Sequence, residues 1–490
     1  MKDSASTQRR KIYLEKKSQY PSSPIRLISR VDQTMRQMYP DYKGIAVAIG
    51  DIDETGFPAD LASRIVELKD LSQLERIKEL LTKIENAELE CYNLSGNGYF
   101  PIRKGWTNLF SRETGVNYDP SDDALEVFIT HGGMQAIFNS IIASCRELEW
   151  RSKVKPEGPP RLFVHAPTFP CVESQANLLG VELIVGDCRP EDHFLLNADG
   201  ILQDASKRAD IYYIMTTSNP TSLYPELEHI SPLGLKRVIE TILDINSEAS
   251  ILLDVVYNRT LPGDFNRRML EFLETHEAKK NVVFIESLSK THAFTGVRSG
   301  AVLTCSPISK WLNDLSLDSM AGPSNVMQWR AARILEPYWD DLVGEEEIEK
   351  ARAFTQDLAA YMGSRRRRLL NMIFNNSSLS KWFLPLEDQQ KLALPHGIDW
   401  QGGLYAWLSL DPSRVSELRD NNDNDILPEE RTNPALHLFF EEGIACVGGI
   451  GFVTSPWEND RQKGERKMAI EEASNYIRVS VGMTGEDELS

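Results

Sequence analysis

The 490-residue chain is short of cysteine, of positive charge and of long apolar runs, and each shortage closes a class of function. Its six cysteines, Cys91, Cys145, Cys171, Cys188, Cys305 and Cys446, lie far apart, with no C-x-x-C and no framework spacing. They read as free thiols in a reducing compartment, not as a disulfide scaffold. A net charge of −18 argues against a nucleic-acid backbone or an anionic membrane as the main partner, though not against a small anion held by local arginines. No uninterrupted apolar run approaches the ~20 residues of a membrane span. The first residues, M-K-D-S-A-S-T-Q-R-R-K-I-Y, carry charges without the apolar stretch of a secretory signal. The expected setting is therefore soluble and cytoplasmic. The eight histidines are scattered without metal-ligand spacing, and a satisfied hydrogen bond explains His131 and His292 better than a metal does. There is no internal repeat.

What is present is a 41% hydrophobic content, enough for one large core and a second smaller one. Residues 1–24 are polar and rich in Lys and Arg, and read as a loosely ordered tail. Ile45–Gly50 gives a short apolar strand, and Leu61–Glu90 has apolar residues at helical spacing. From Leu125 the chain alternates short apolar strands with helices: V-F-I-T ending at Thr130, R-L-F-V-H from Arg161, Glu182–Val185, I-Y-Y-I-M-T from Ile211, S-I-L-L-D ending at Asp254, N-V-V-F-I ending at Ile285, and S-G-A-V-L-T from Ser299. That texture predicts an α/β fold with a mostly parallel sheet covered on both faces, and ligands at the carboxyl ends of its strands. After about Val326 come long helical segments, where the basic run Arg365–Arg368 reads as a solvated helix face. Strands at Gly403–Leu410 and Tyr476–Val481 follow. Asp411–Pro434, rich in Asn and Asp, reads as a surface insertion.

The stretch with most chemistry is E-S-L-S-K-T-H-A-F-T-G-V-R-S-G, Glu286 to Gly300. A lysine delivered by a buried strand is partly desolvated, which favours its nucleophilic free amine. Ser287, Ser289 and Arg298 beside it make a site for a dianion such as phosphate. Alone, this pattern equally suits a solvated loop. Thr130-His131-Gly132-Gly133-Met134 ends a strand and opens a helix, where backbone N–H groups can approach a phosphate. Asp254 ends an apolar strand, with Tyr257 three residues on; a buried carboxylate needs a cation, such as a protonated pyridine nitrogen, unless it merely caps the next segment. Asn219-Pro220-Thr221 is a turn whose amide can donate to a phenolic oxygen. Phe169 in A-P-T-F-P is placed to stack on a flat ring or to join the core. Arg478, a charge amid the apolar strand Y-I-R-V-S-V, needs a substrate carboxylate or a structural ion partner.

In this order and spacing, with A-I-G-D-I-D, Y-N-L-S-G-N-G-Y-F-P-I-R and G-G-L-Y-A-W added, the pieces resemble the class I/II aminotransferases, the aspartate-aminotransferase-like fold type I pyridoxal-phosphate enzymes. The resemblance spans roughly Ile45–Gly482. It implies a large domain with a mostly parallel seven-stranded sheet covered by helices, plus a smaller α+β domain built from both chain ends. The expected division is a tail at 1–24, the small domain's N-terminal part at 25–56, a cofactor-binding large domain at 57–335 and the C-terminal small domain at 336–490. The implied cofactor is pyridoxal 5′-phosphate, carried by Lys290 as a Schiff base. Asp254 would pair with its ring nitrogen, Tyr257 and Asn219 would meet its phenolic oxygen, and Phe169 would stack on the ring. Ser287, Ser289, Arg298 and the backbone at Gly132, Gly133 and Met134 would hold its phosphate. Arg478, Gly50 and Asn219 would contact the substrate, an amino acid converted to its keto acid. Tyr92 would reach the phosphate of a neighbouring subunit, which implies a homodimer.

Departures are visible. Asn219-Pro220-Thr221-Ser222 stands where the family commonly has N-P-T-G, and Asp254-Val255-Val256-Tyr257 where it has D-E-A-Y or D-E-V-Y. Extra length lies at Asp411–Pro434 and about Thr454–Ser474. These leave a second reading open: elimination, replacement or carbon–carbon bond formation with the same cofactor, as in aminocyclopropane-carboxylate synthases. A non-catalytic binding protein on the same fold is a third, against which the presence of both Lys290 and Asp254 speaks.

Overall fold

The apolar runs between residues 126 and 304 fold as strands five or six residues long, buried throughout or from their second residue on, except for the partly buried Glu182–Asp187. The computed structural model describes residues 5–19, 24–39, 41–42, 45–46, 52, 57–70, 72, 74–85, 96–117, 126–152, 158–228, 230–261, 263–339, 344–393, 403–423, 425–453, 463–464 and 466–481. Among these, the strands in chain order are β1 (Ile45–Ala46), β2 (Glu126–Thr130), β3 (Arg161–Ala166), β4 (Glu182–Asp187), β5 (Ile211–Met215) and β6 (Ser250–Asp254). They continue with β7 (Val282–Ser287), β8 (Gly300–Thr304), β9 (Tyr405–Ser409), β10 (Ile444–Ala445), β11 (Val447–Gly448) and β12 (Tyr476–Ser480).

Seven of them form one sheet in the order β2-β8-β7-β6-β5-β3-β4. The pairs β7–β6, β6–β5, β5–β3 and β3–β4 are parallel, as expected where helices such as Gly133–Arg151, Cys171–Leu178 and Leu235–Ile245 link the strands. Strand β8 is antiparallel to both β7 and β2. The segment from β7 to β8 holds only the one-turn helix Leu288–Thr291, without the long helical crossover that a parallel return takes. Register then collects the chemistry at one rim: Met215 pairs with Asp254, Asp254 with Ile285, Ser287 with Gly300 and Gly300 with Thr130.

The smaller part has a three-stranded antiparallel sheet, β11-β12-β9, and a parallel pairing of β1 with β10 that joins the two ends of the chain. The long helix Glu345–Asn375 packs on the segment Asn258–Thr260 and the helix Asn325–Trp339, and its Arg366 donates to the Gly403 carbonyl just before β9 at 2.6 Å. The domain boundary expected at 335/336 falls inside the helix Asn325–Trp339.

Three expectations are corrected. The tail contains a helix, Ala5–Lys17, with Arg9, Ile12 and Tyr13 buried. It docks on Pro434–Glu442: Arg10 pairs with Glu430 at 2.7 Å and Glu441 at 2.6 Å, and Tyr13 packs edge-on against Phe440. The supposed surface insertion contributes the buried Glu430, along with helices Pro412–Asp420 and Pro428–Thr432. The basic run is a solvated face only at Arg367 and Arg368, because Arg365 and Arg366 are buried on the other side of the helix.

Candidate active site

The site starts from the strand ends. Lys290, half-buried, sits in the one-turn helix that directly follows β7. The Ser287 side chain caps that helix by accepting from the Ser289 amide at 3.1 Å, and its hydroxyl lies 2.9 Å from Ser289 Oγ. Behind this turn, Glu286 is paired with Arg259 at 2.8 Å, both almost wholly shielded, and Arg259 lies over the Trp106 ring. Burial pushes the Glu286 carboxyl up to about 7 against the opposing pull of Arg259.

Across the rim, Gly132 caps the helix Gly133–Arg151 with φ 77°, a left-handed conformation that glycine adopts without strain. A Cβ there would lie 2.7 Å from Arg298 Nη2, and a Cβ on Gly300 would lie 2.7 Å from the Gly132 carbonyl carbon. The two glycines thus let the Arg298 guanidinium, the Ser287 hydroxyl at the end of β7 and the amides of a helix N-terminus share one small region. Arg298 itself has φ 59° and donates to the Thr295 carbonyl at 2.8 Å. The Met134 carbonyl accepts from Gln175 at 2.9 Å.

Asp254 ends β6, buried. The Tyr213 hydroxyl donates to its Oδ2 at 2.6 Å and the Val256 amide to its Oδ1 at 3.2 Å. Burial pushes its carboxyl up to about 6, against those two hydrogen bonds. Both donors are uncharged, so this carboxylate has a place for a cation.

The smaller domain closes the other side. Arg478, mid-β12 and buried, donates from Nη1 to Asn219 Oδ1 at 2.9 Å. Its guanidinium lies 4.2 Å from the Tyr405 ring centre and 5.0 Å from that of Phe452. Burial lowers its pKa from the usual arginine value, against Tyr405 and Tyr257. The Tyr257 and Tyr405 hydroxyls are 2.9 Å apart. Burial raises the Tyr257 phenol well above its ordinary value. Phe169 is half-buried beside Thr168, whose amide donates to the Phe452 carbonyl at 3.0 Å.

The expected residues Lys290, Ser287, Ser289, Arg298, Gly132, Gly133, Met134, Asp254, Tyr257, Asn219 and Arg478 therefore lie on segments that converge on one rim. Gly50 and Tyr92 lie outside the described residues. His292 stacks on Phe354, with the Thr291 hydroxyl 2.9 Å from its Nδ1, and among the described residues no group of three or more ligating side chains could hold a metal. Sequence reasoning missed Tyr213, Tyr405, Phe452 and the Arg259–Glu286 pair. Tyr213 and Tyr405 sit in apolar strands, where an aromatic reads as core; only the position of Tyr405 in G-G-L-Y-A-W hinted at the site.

A model of the family described as "Aminotransferase class I and II" matches residues 127–379. The chain is 22% identical over 262 residues to an aspartate aminotransferase of Geobacillus stearothermophilus, covering 54% of this chain and 61% of that protein. It is 25% identical over 280 residues to an LL-diaminopimelate aminotransferase of Syntrophobacter fumaroxidans, covering 56% and 65%. The matches thus span less than two thirds of these relatives' length. Among solved structures, an aminotransferase from Mycobacterium tuberculosis superposes with a TM-score of 0.63 at 18% identity, covering 95% of this chain and 93% of that one. The Thermus thermophilus aspartate aminotransferase with maleate gives 0.62 at 17%, covering 95% and 94%. At such identities the structural likeness speaks for the fold, which is that of fold type I enzymes.

Proposed function

The chain belongs to the class I and II aminotransferases, and from that premise we propose that it moves the amino group of an α-amino acid onto pyridoxal phosphate held at Lys290. The observation that carries this reading is Asp254: a buried carboxylate at a strand end, whose hydrogen-bond donors among the described residues are neutral, and therefore suited to a protonated pyridine nitrogen. The rest of the donor set suits the same group. The glycine cradle at Gly132 and Gly300, Arg298, the Ser287 and Ser289 hydroxyls and the amides of Gly133 and Met134 suit a phosphate dianion. Asn219 and Tyr257 suit a phenolic oxygen, and Phe169 the ring face.

When bound, the cofactor supplies an aldehyde that condenses with amines and a ring that withdraws electrons from the carbon bearing the nitrogen. With that group bound, Lys290 Nζ would carry its aldehyde, and the same amine, when free, would take the proton from the substrate's Cα. Arg478, fixed by Asn219 and shielded by Tyr405 and Phe452, holds the α-carboxylate and so aims the Cα–H bond. Gly50 and Tyr92 keep their proposed roles, Tyr92 serving the partner's phosphate in a homodimer. The five cysteines among the described residues are free thiols, and no helix there is long and apolar enough to cross a membrane; a cytoplasmic setting remains part of the proposal. The relatives' names support transamination over elimination, replacement or carbon–carbon bond formation.

The test is direct. Protein loaded with pyridoxal phosphate absorbs visible light, and a screen of amino acids identifies those that bleach the band while a keto acid and pyridoxamine phosphate appear. Lys290→Ala loses turnover and releases the cofactor on dialysis against an amine. Undiminished turnover in that variant overturns the assignment.

A further inference from the structure

Two groups in the site have different tasks under the proposed function: Tyr257 faces the cofactor's phenolic oxygen, and Arg478 faces the substrate's carboxylate. One side chain touches both. Tyr405 places its hydroxyl 2.9 Å from that of Tyr257, with the two rings edge-on at 5.8 Å, and its ring face lies 4.2 Å from the Arg478 guanidinium. All three side chains are buried.

Tyr405 is itself tightly held. Its backbone amide donates to Ser222 Oγ at 3.2 Å. Ser222, in the left-handed region at φ 59°, is the residue that departs from N-P-T-G, so the departure supplies an acceptor that glycine lacks. Two residues earlier, the Gly403 amide donates to Thr260 Oγ1 at 2.9 Å, and the Gly403 carbonyl accepts from the buried Arg366 at 2.6 Å. The backbone that carries the Tyr405 side chain is thus held from three separate segments, as the support of a reactive constellation requires.

We propose that Tyr405 is a positioning residue that couples the two halves of the site, its hydroxyl orienting the Tyr257 phenol and its ring seating the Arg478 guanidinium. This rests on the reading of Lys290 as the cofactor's anchor. A phenol has one proton and accepts as well as donates. With Tyr405 donating to Tyr257, the Tyr257 proton is left for an acceptor inside the site, and two phenols in series polarise each other, so Tyr257 becomes the stronger donor. The other charged and titratable groups acting on Tyr257 are Arg478 and Asp254, and beyond Asp254 lies Tyr213. A stronger donor at the phenolic oxygen favours its anionic form. Losing the Tyr405 hydroxyl should therefore raise the pH at which the lysine-bound cofactor loses its proton.

The experiment titrates the visible band of the loaded enzyme with pH in wild type, Tyr405→Phe, Tyr257→Phe and the double variant. The expected result is an upward midpoint shift on the order of half a pH unit for Tyr405→Phe. The double variant should match Tyr257→Phe, because the hydroxyl acts through Tyr257. Tyr405→Phe, which keeps the ring, should hold KM for the best amino acid within about twofold, whereas Tyr405→Leu should raise it about tenfold. Ser222→Gly, which suits the backbone and only removes the acceptor at Tyr405, should move the midpoint in the same direction by less. It serves as the second probe if Tyr405→Phe does not fold. An unchanged midpoint in a folded variant, or equal shifts added in the Tyr257→Phe background, overturns the inference while the cofactor reading stands. A wild type without a visible band overturns the reading first.

Discussion

At the scale of the residue, Asp254 makes the clearest energetic demand. Its carboxyl is held at about 6, above the usual 3.8, so the folded protein without cofactor binds a proton there that the unfolded chain releases. A raised carboxylate costs stability as pH climbs from about 4 through 6, and the cost is fully present above that window. Asp254→Asn should thus make the cofactor-free protein more stable at pH 8, by up to about 3 kcal/mol, with the gain vanishing below pH 4; thermal melts across pH read this directly. The same variant should bind pyridoxal phosphate far more weakly. Asp254 was legible because a charge ending an apolar strand is conspicuous. Tyr213 was not: I-Y-Y-I-M reads as a buried strand whichever tyrosine faces the rim, and only the fold shows that the second one donates to Asp254.

At the scale of the element, the N-terminal helix Ala5–Lys17 and the segment around Glu430 define one another. Burial alone would raise the Glu430 carboxyl, but bonds from Arg10, His437 and the Leu427 amide outweigh it and hold it at about 2. A carboxylate with a depressed value stabilises fully above its unfolded value near 4.5, and the contribution fades as pH falls toward 2. Glu430→Gln should release the helix at neutral pH, at a cost of about 3 kcal/mol, and limited proteolysis should then cut near Arg9 and Arg10 where the wild type resists. Neither partner was readable from the sequence, because each looks like ordinary surface charge and they lie 420 positions apart. The basic run shows the same blindness at shorter range. Four consecutive arginines cannot share one face of a helix, and burial of Arg365 and Arg366 follows from the turn of the helix, not from composition. Arg366→Met should lower the melting temperature by about 1–2 °C, corresponding to about 1–2 kcal/mol, and loosen the backbone at Gly403, which hydrogen exchange would report.

At the scale of the whole molecule, the alternation of short apolar strands and helices was enough to read the mostly parallel sheet and the rim on which the candidate residues lie. The antiparallel β8 was less visible, since Ser299–Thr304 has the same composition as its parallel neighbours, and only the brevity of the connection from β7 marks it. The resemblance spoke for the small domain, whose strands β9 and β12 were each readable while their pairing was not. The proposed homodimer is tested at this scale. Light scattering should give twice the 55.5 kDa chain mass, and Tyr92→Phe should weaken cofactor retention without changing that mass.

The chain order of these parts also has a consequence during synthesis. The seven-stranded sheet is complete once residue 304 has left the ribosome, but Asn219 waits for Arg478 and Tyr257 for Tyr405. A nascent chain therefore carries all seven strands of the sheet, without the residues that close the site, while more than a third of the 490 residues are still to be added. A message cut short there would yield a protein with Lys290 in place and neither Tyr405 nor Arg478 to close over it.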